Sequence, residues 1–259
     1  MSLGSLKVFS CWGCNLLVVF ALAMCSQASA EGPLVINEIM YHMKETPWKE
    51  DPKAEFVELY HSGDQPVQVE NWQFTAGIRY TFPSMVVQPG DYFVIAADVD
   101  AFKARYPEVT NVLGPFRGGL SNGGENLELE DADEKKVDKV SYADSGRWAK
   151  RVSTRTKGYD DWVWEAPHDG EGMSLSLISP AANNAHGVNW GPSKTEGGTP
   201  GRKNDNVVES LPPVVISIGH GPVIPRSNEP VTVHTKVEHA KEVTLTVRYR
   251  QDGETSFRA

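Results

Sequence analysis

Residues 34–42 read LVINEIMYH, and residues 55–83 read EFVELYHSGDQPVQVENWQFTAGIRYTFP. Together they hold four or five short strand candidates separated by turn residues, which is the spacing of one half of a β-sandwich. In the first run Val35, Ile39 and Tyr41 alternate onto one face, and Leu34, Ile36 and Met40 onto the other. Apolar residues on both faces point to a strand buried on two sides, or to one that changes sheet partner. Asn37 and Glu38 interrupt it, and buried polar side chains need hydrogen-bond partners. The simplest supply is the backbone of a neighbouring loop, which they would cap.

Working outward, residues 42–53 carry Pro47, Trp48 and Pro52 and read as a surface connection. Val57 and Leu59 face the core, with Phe56, Glu58 and Tyr60 opposite. Ser62-Gly63-Asp64 is a turn by composition. Residues 71–75 and 78–82 form a hairpin about Ala76-Gly77, with Trp72 and Phe82 as its bulky core candidates. Pro89-Gly90 is the next turn, and residues 91–97 form an apolar strand. The period then becomes helical over residues 98–106, with Asp98 or Asp100 as N-cap, Phe102, Arg105 and Tyr106 along one side, and Pro107 as the stop.

The glycines between 114 and 124 are not a phosphate cradle, because Gly123-Gly124-Glu125 leads into a strand and no Lys-Ser/Thr pair follows. Residues 126–130 alternate strictly, with leucines inward and acids outward. Residues 131–136 form the hairpin tip and residues 137–142 return. Asp131 and Asp133 could open a calcium loop, but Lys136 stands where an EF-hand needs glycine, so a solvated acidic turn is expected. Residues 173–177 are another strand, and residues 181–201 form a closing loop anchored by Trp190. Residues 204–213 have no apolar period and end in Leu211-Pro212-Pro213, which predicts a linker. A second β unit starts at Val214, with residues 231–237 and 243–249 alternating about a turn at residues 239–242. About three strands fit there, whereas an immunoglobulin-like domain needs roughly seven.

The first thirty residues are of another kind. Lys7 is their only charge, the apolar run 16–24 is too short for the ~20 residues of a membrane span, and Ala28-Ser29-Ala30 is a small-residue cleavage site. A secretory signal peptide cleaved after Ala30 is expected, which would leave the chain contacting a membrane only through its leader. Leu22-Ala23-Met24-Cys25 offers a rival lipidation site. All three cysteines, Cys11, Cys14 and Cys25, lie in this leader, so the processed chain would have no thiol for a disulfide or metal. A hydrophobic fraction of 40% is compatible with a folded core. A formal charge of -9 excludes a surface built broadly to neutralise nucleic-acid phosphates.

Candidate sites are few. Arg147, Lys150, Arg151, Arg155 and Lys157 crowd a short insertion near Trp148, Trp162 and Trp164, a mixture that can meet an anionic polymer by charge and stacking. The expected form is nevertheless a mobile insertion loop, with solvated charges and with tryptophans folded back on the sandwich. Trp148, Trp162, Trp164 and Trp190 are the possible ligand-contact aromatics of a carbohydrate platform. Glu38, Glu55 and Glu58 are the carboxylates that would have to converge for acid–base catalysis. His42, His168, His186 and His220 show no metal-binding spacing. No catalytic, cofactor-binding or metal site is assigned.

Residues 34 to about 201 resemble the lamin tail domain family in its secreted bacterial form. The resemblance is carried by Leu34-Val35-Ile36-Asn37-Glu38-Ile39, by Glu55-Phe56-Val57-Glu58-Leu59-Tyr60, and by the hairpin ending Tyr80-Thr81-Phe82-Pro83. It continues in Leu120-Ser121-Asn122-Gly123-Gly124-Glu125 before a Leu-x-Leu strand and in Gly198-Thr199-Pro200-Gly201. His61 stands where the family usually has Asn, and residues 147–161 have no counterpart. The resemblance implies an all-β chain with an immunoglobulin-like β-sandwich over residues 31–203. A linker at 204–213 and the start of a second immunoglobulin- or fibronectin-like β domain at 214–259 complete the expected organisation. It further implies a non-catalytic structural or interaction module of a secreted or cell-envelope protein, and the few strands that fit after Val214 lead us to expect the N-terminal part of a longer multidomain chain. Its partners would be other protein domains or cell-surface components, including polysaccharide but not nucleic acid. The alternatives are a carbohydrate-binding sandwich, or an accessory domain of a larger enzyme such as a spore-coat protein H-like kinase or a hydrolase.

Overall fold

The computed structural model describes residues 32–44, 51–156, 158–208, 211, 213–224, 226, 229–238, 244, 246 and 255–256. In chain order its strands are β1 (Leu34–Met40), β2 (Phe56–His61), β3 (Val67–Gln68), β4 (Gln73–Ala76), β5 (Tyr80–Thr81), β6 (Val86–Val87), β7 (Tyr92–Ala96) and β8 (Val112–Leu113). They continue with β9 (Gly124–Glu130), β10 (Lys136–Ala143), β11 (Lys150–Thr156), β12 (Tyr159–Glu165), β13 (Leu175–Leu177), β14 (Trp190–Pro192), β15 (Val214–Gly221) and β16 (Thr232–Glu238). Among the described residues the one α-helix is α1 (Val99–Arg105), between β7 and β8. Residues 28–211 make one unit and residue 212 onwards belongs to a second. The leader with its Ala30 site, the turn at 239–242 and most of the strand expected at 243–249 lie outside the described residues.

The first unit is an immunoglobulin-like β-sandwich. One sheet runs β14-β13-β1-β2-β7-β8 and the other β10-β9-β4-β5. All neighbours pair antiparallel except β7 with β8. Between the sheets lies the main core, in which Ile36, Ile39, Leu59, Phe74, Phe82, Leu127, Leu129, Leu175 and Leu177 are almost completely buried. Burying one such side chain is worth roughly 1.5–3 kcal/mol. The hairpin about Gly77, a glycine with φ 73°, lies where composition puts it.

Both faces of β1 are apolar because both are covered. Met40, Phe56, Val94 and Ala96 point away from the main core into a second cluster with Phe102, Tyr106 and Val109. There Phe102 and Tyr106 set their rings nearly perpendicular to that of Phe56, at 5.6 and 6.0 Å. The helix that brings them is capped by Asp98, whose carboxylate accepts from the Asp100 and Ala101 N–H groups, while Arg105 stays exposed.

The faces of β1 are not those that simple alternation gives. Ile36 pairs with Leu59 and Glu38 with Glu58, so Asn37 is an extra residue in the ladder. Such a bulge reverses the parity of the strand. Ile36, Ile39 and Tyr41 therefore share the main core, and Glu38 and Met40 look the other way.

Two further expectations are corrected. The insertion at 147–161 is not an irregular loop. It is a two-stranded antiparallel ribbon, β11 with β12, in unbroken register from Lys150↔Glu165 to Thr156↔Tyr159. The start of the expected linker also belongs to the sandwich. Asn204 is only 4% exposed, and its amide donates to the carbonyls of Asn37 and Leu177, 3.0 Å each. Replacing Asn204 with alanine would orphan these buried carbonyls, each a loss of about 1–3 kcal/mol in general. An overall loss of about 2 kcal/mol, read as a lower urea midpoint at unchanged slope, is the expected outcome. In the second unit, β15 starts at Val214 as expected and pairs with β16, with a register shift between Val215 and Ser217.

Candidate functional site

The most polar region of the sandwich lies beneath its closing segment. Ser176 on β13, Glu38 on β1 and Glu58 on β2 are direct cross-strand neighbours, so they form one row across the outer face of the larger sheet. All three are fully buried. Glu38 Oε1 accepts from the Thr199 N–H at 2.8 Å and from the hydroxyl of Ser174. Glu58 accepts from the Asn37 amide at 2.8 Å and from the Gly201 N–H at 2.5 Å. The side-chain amides of Asn37 and Asn204 donate to each other's oxygen, at 3.0 and 3.2 Å. Gly198 carries φ 81° against this row, where a Cβ would collide with the Glu38 carboxylate.

The carboxylates of Glu38 and Glu58 thus cap the backbone of residues 199–201, as the polar interruption of β1 foretells. Burial pushes Glu38 up to about 7, opposed by the Ser174 and Thr199 donors. Burial first, and the neighbouring Glu38 charge second, hold Glu58 well above the usual carboxylate range. Two adjacent acids in this environment share at least one proton near neutral pH. Of the three acids weighed for catalysis, Glu38 and Glu58 come together but are sealed from solvent. Glu55 is spent separately on the Leu120 N–H at 2.8 Å.

A second polar chain fixes the far end of the closing segment. Asp138 on β10 accepts from the Ile36 N–H at 2.6 Å and from the Asn184 amide at 2.7 Å. The Asn184 carbonyl in turn accepts from Trp190 Nε1–H at 2.7 Å. Trp190, 4% exposed, then packs its ring 5.9 Å from that of half-buried Trp148.

Trp148 stands at the base of the β11–β12 ribbon, and His168 ties it there. Tyr41 donates its hydroxyl to His168 Nδ1 at 2.7 Å, and His168 Nε2–H donates to the Trp148 carbonyl at 2.9 Å. Burial lowers the His168 pKa and favours the neutral ring, and the Trp148 carbonyl, which can only accept, places its proton on Nε2. The two ends of the ribbon, one carrying Trp148 and the other leading to His168, are thereby fastened to the end of β1.

The ribbon itself is exposed. Trp162 and Trp164 are 54% and 49% accessible and, two residues apart on one strand, share a face. Across from them on β11, Arg151 pairs with Trp164 and Ser153 with Trp162. The Arg151 guanidinium leans over the Trp162 ring, 4.3 Å from its centroid. On the other face Lys150 and Glu165 form a 3.4 Å ion pair. The four candidate ligand-contact tryptophans therefore divide. Trp190 is structural, Trp148 is its partner, and Trp162 and Trp164 face solvent.

The histidines do not converge. His42 pairs with Asp169 at 2.6 Å, His168 is the tether just described, His186 starts a short 3-10 turn and His220 lies 3.3 Å from the Pro222 carbonyl. Among the described residues no group of three or more His, Cys, Asp or Glu is placed to hold a metal. The acidic tip forms a turn in which Asp131 accepts from the Asp133 and Lys135 N–H groups. His61, the departure from the family pattern, is buried and accepts from the Gly63 N–H at 3.0 Å, so the imidazole supplies the turn contact. Among the described residues no helix is long and apolar enough to cross a membrane.

Sequence reasoning missed the roles of Asn184, Asn204 and Asp138. The available signal was the run of asparagines at 183, 184, 189, 204 and 206 in segments without apolar period, which is more side-chain amide than a solvated loop requires. In comparisons with known proteins, residues 27–144 match the model of the Lamin Tail Domain family. No curated protein matches the chain. The ribbon and the closing segment both lie beyond the matched residues.

Proposed function

We propose, from the likeness of residues 27–144 to lamin tail domains, that this protein is a non-catalytic structural or interaction module. In this reading it is part of a secreted or envelope-associated, multidomain polypeptide, and it contacts other protein domains or cell-surface components. One observation carries the reading: the adjacent carboxylates best suited to chemistry, Glu38 and Glu58, are sealed and committed to backbone N–H groups. What the sandwich offers to its surroundings instead is a tethered ribbon bearing exposed tryptophans. The leader ending at Ala30 supports export of the chain.

The test is to express the tagged full chain in its own cell and follow processing and contacts together. Intact mass should place the mature N-terminus at Glu31, in an extracytoplasmic fraction. A photo-crosslinker at Ser153, on the ribbon, should capture surface components. An unprocessed cytoplasmic chain, or a hydrolytic activity abolished by Glu58→Gln, would overturn the proposal.

A further inference from the structure

The geometry points to an acidic polysaccharide, a chain of carboxylated sugars, as the ligand of the exposed β11–β12 face. This rests on the interaction-module reading and names its partner. The face is one side of a narrow ribbon: Arg151, Ser153 and Arg155 on β11 stand opposite Trp164, Trp162 and Asp160 on β12. A standard protein interface uses roughly 20–30 residues a side, far more than this strip offers. A linear polymer suits its width.

The chemistry follows from how the side chains are held. The planar, exposed indoles offer apolar faces that the C–H side of a pyranose ring can cover. Arg151 lies directly across from Trp164 and is braced against the Trp162 ring. Among the described residues it has no carboxylate within ion-pair distance, and its guanidinium presents a planar fork of N–H donors with no acceptor of its own. A guanidinium beside an aromatic face, already fixed and lacking an anionic partner, is disposed to take a carboxylate in a bidentate fashion. A sugar stacked on Trp164 would place a ring carboxylate within its reach. Ser153 adds a hydroxyl opposite Trp162.

Asp160 sits at the Arg155 end of the face and Lys150 is paired with Glu165 on the reverse, so the cationic character concentrates at Arg151. A nucleic acid would require a broad basic footprint, which a chain of formal charge -9 does not supply. An anionic bilayer would meet Asp160 and Asp161 next to the indole that has to insert.

The experiment titrates the full-length chain with polygalacturonate, with soluble neutral cello-oligosaccharides, with single-stranded DNA and with vesicles of phosphatidylcholine and phosphatidylserine. Polygalacturonate should bind tightest. Trp164→Ala should weaken it about tenfold or more at an unchanged melting temperature, because the side chain is half exposed. Arg151→Gln should abolish the preference for the acidic over the neutral glycan, and Arg151→Lys should restore only part of it. Binding unaffected by Trp162→Ala/Trp164→Ala, tighter binding to neutral glycan, DNA or vesicles, or no glycan binding at all would each overturn the assignment. If glycan binding fails while the Ser153 crosslinker still captures a protein at the cell surface, only the ligand is wrong. If both fail, the module reading falls with it.

Discussion

Replacing Trp190 with alanine is expected to cost the sandwich about 3–5 kcal/mol, the usual range for truncating a buried large aromatic side chain. The indole is almost wholly buried, packs against Trp148 and donates to the Asn184 carbonyl. Truncation opens a cavity and orphans that buried acceptor, and both losses act in the same direction. The effect should spread to the ribbon, whose base is Trp148. Trp162→Ala should change stability by no more than about 0.5 kcal/mol, as surface substitutions usually do. Urea unfolding of the two variants side by side checks this. Equal losses would mean that Trp162 is not the exposed group its accessibility makes it.

The second large effect is a dependence of stability on pH. Unfolded, Glu38 titrates near its ordinary 4.5, and folded, burial holds it up to about 7. A raised folded pKa makes the folded state bind the proton more tightly. The stability drawn from that proton is therefore complete below about 4.5 and is lost as pH rises through about 7. Glu58, raised in the same direction, adds to it. His168 works the other way. Its pKa falls from 6.5 on folding, so its contribution is present above 6.5 and is lost as pH falls through the lower folded value. Comparing the wild type with Glu38→Gln removes the histidine from the difference. The variant keeps an oxygen acceptor for Thr199 but has no charge to bury. Near pH 8 it should be the more stable protein, by on the order of 2–3 kcal/mol, and near pH 4.5 that advantage should vanish. Denaturant midpoints across this range decide it. An advantage that does not change with pH would show that Glu38 is not protonated on folding.

Much of the fold was legible because it rests on local chemistry. Leu127 and Leu129 alternate with acids and are fully buried, Gly77 turns its hairpin, and Asp98 caps α1. The faces of β1 were not legible, because a single extra residue at Asn37 reverses them and nothing in the identity of Asn announces a bulge. The ribbon was hidden for a different reason. Its first strand, KRVSTRT, has one apolar residue, Val152, since the strands are held by each other and not by a core. Hydrophobic period cannot mark a strand that buries no face. The boundary near residue 204 failed because the contacts there are amide to amide, and a search for apolar pattern ends before them.

The candidate site was legible only by halves. That Asn37 and Glu38 need backbone partners follows from their place in a buried strand, and Thr199 answers that need. Trp190 reads as the anchor of the closing loop and is buried as one, but that Trp162 and Trp164 face outward depends on exposure, which residue type does not encode.

The row formed by Ser176, Glu38 and Glu58 also constrains the order of events as the chain is made. β1 finds one sheet neighbour near residue 57 but the other only at residues 175–176, and its Asn37 meets Asn204, 167 positions away. Contacts of such long range make for slow folding, because the intervening chain must be closed into a loop before they give any return. A nascent polypeptide halted before residue 175 would hold β1 with one edge unpaired and two acids facing water, where they are ionised and favour staying there. Completion therefore waits on the C-terminal end of the unit, and the sandwich becomes a finished object in one late step, when the segment around Thr199 docks and takes those carboxylates out of water.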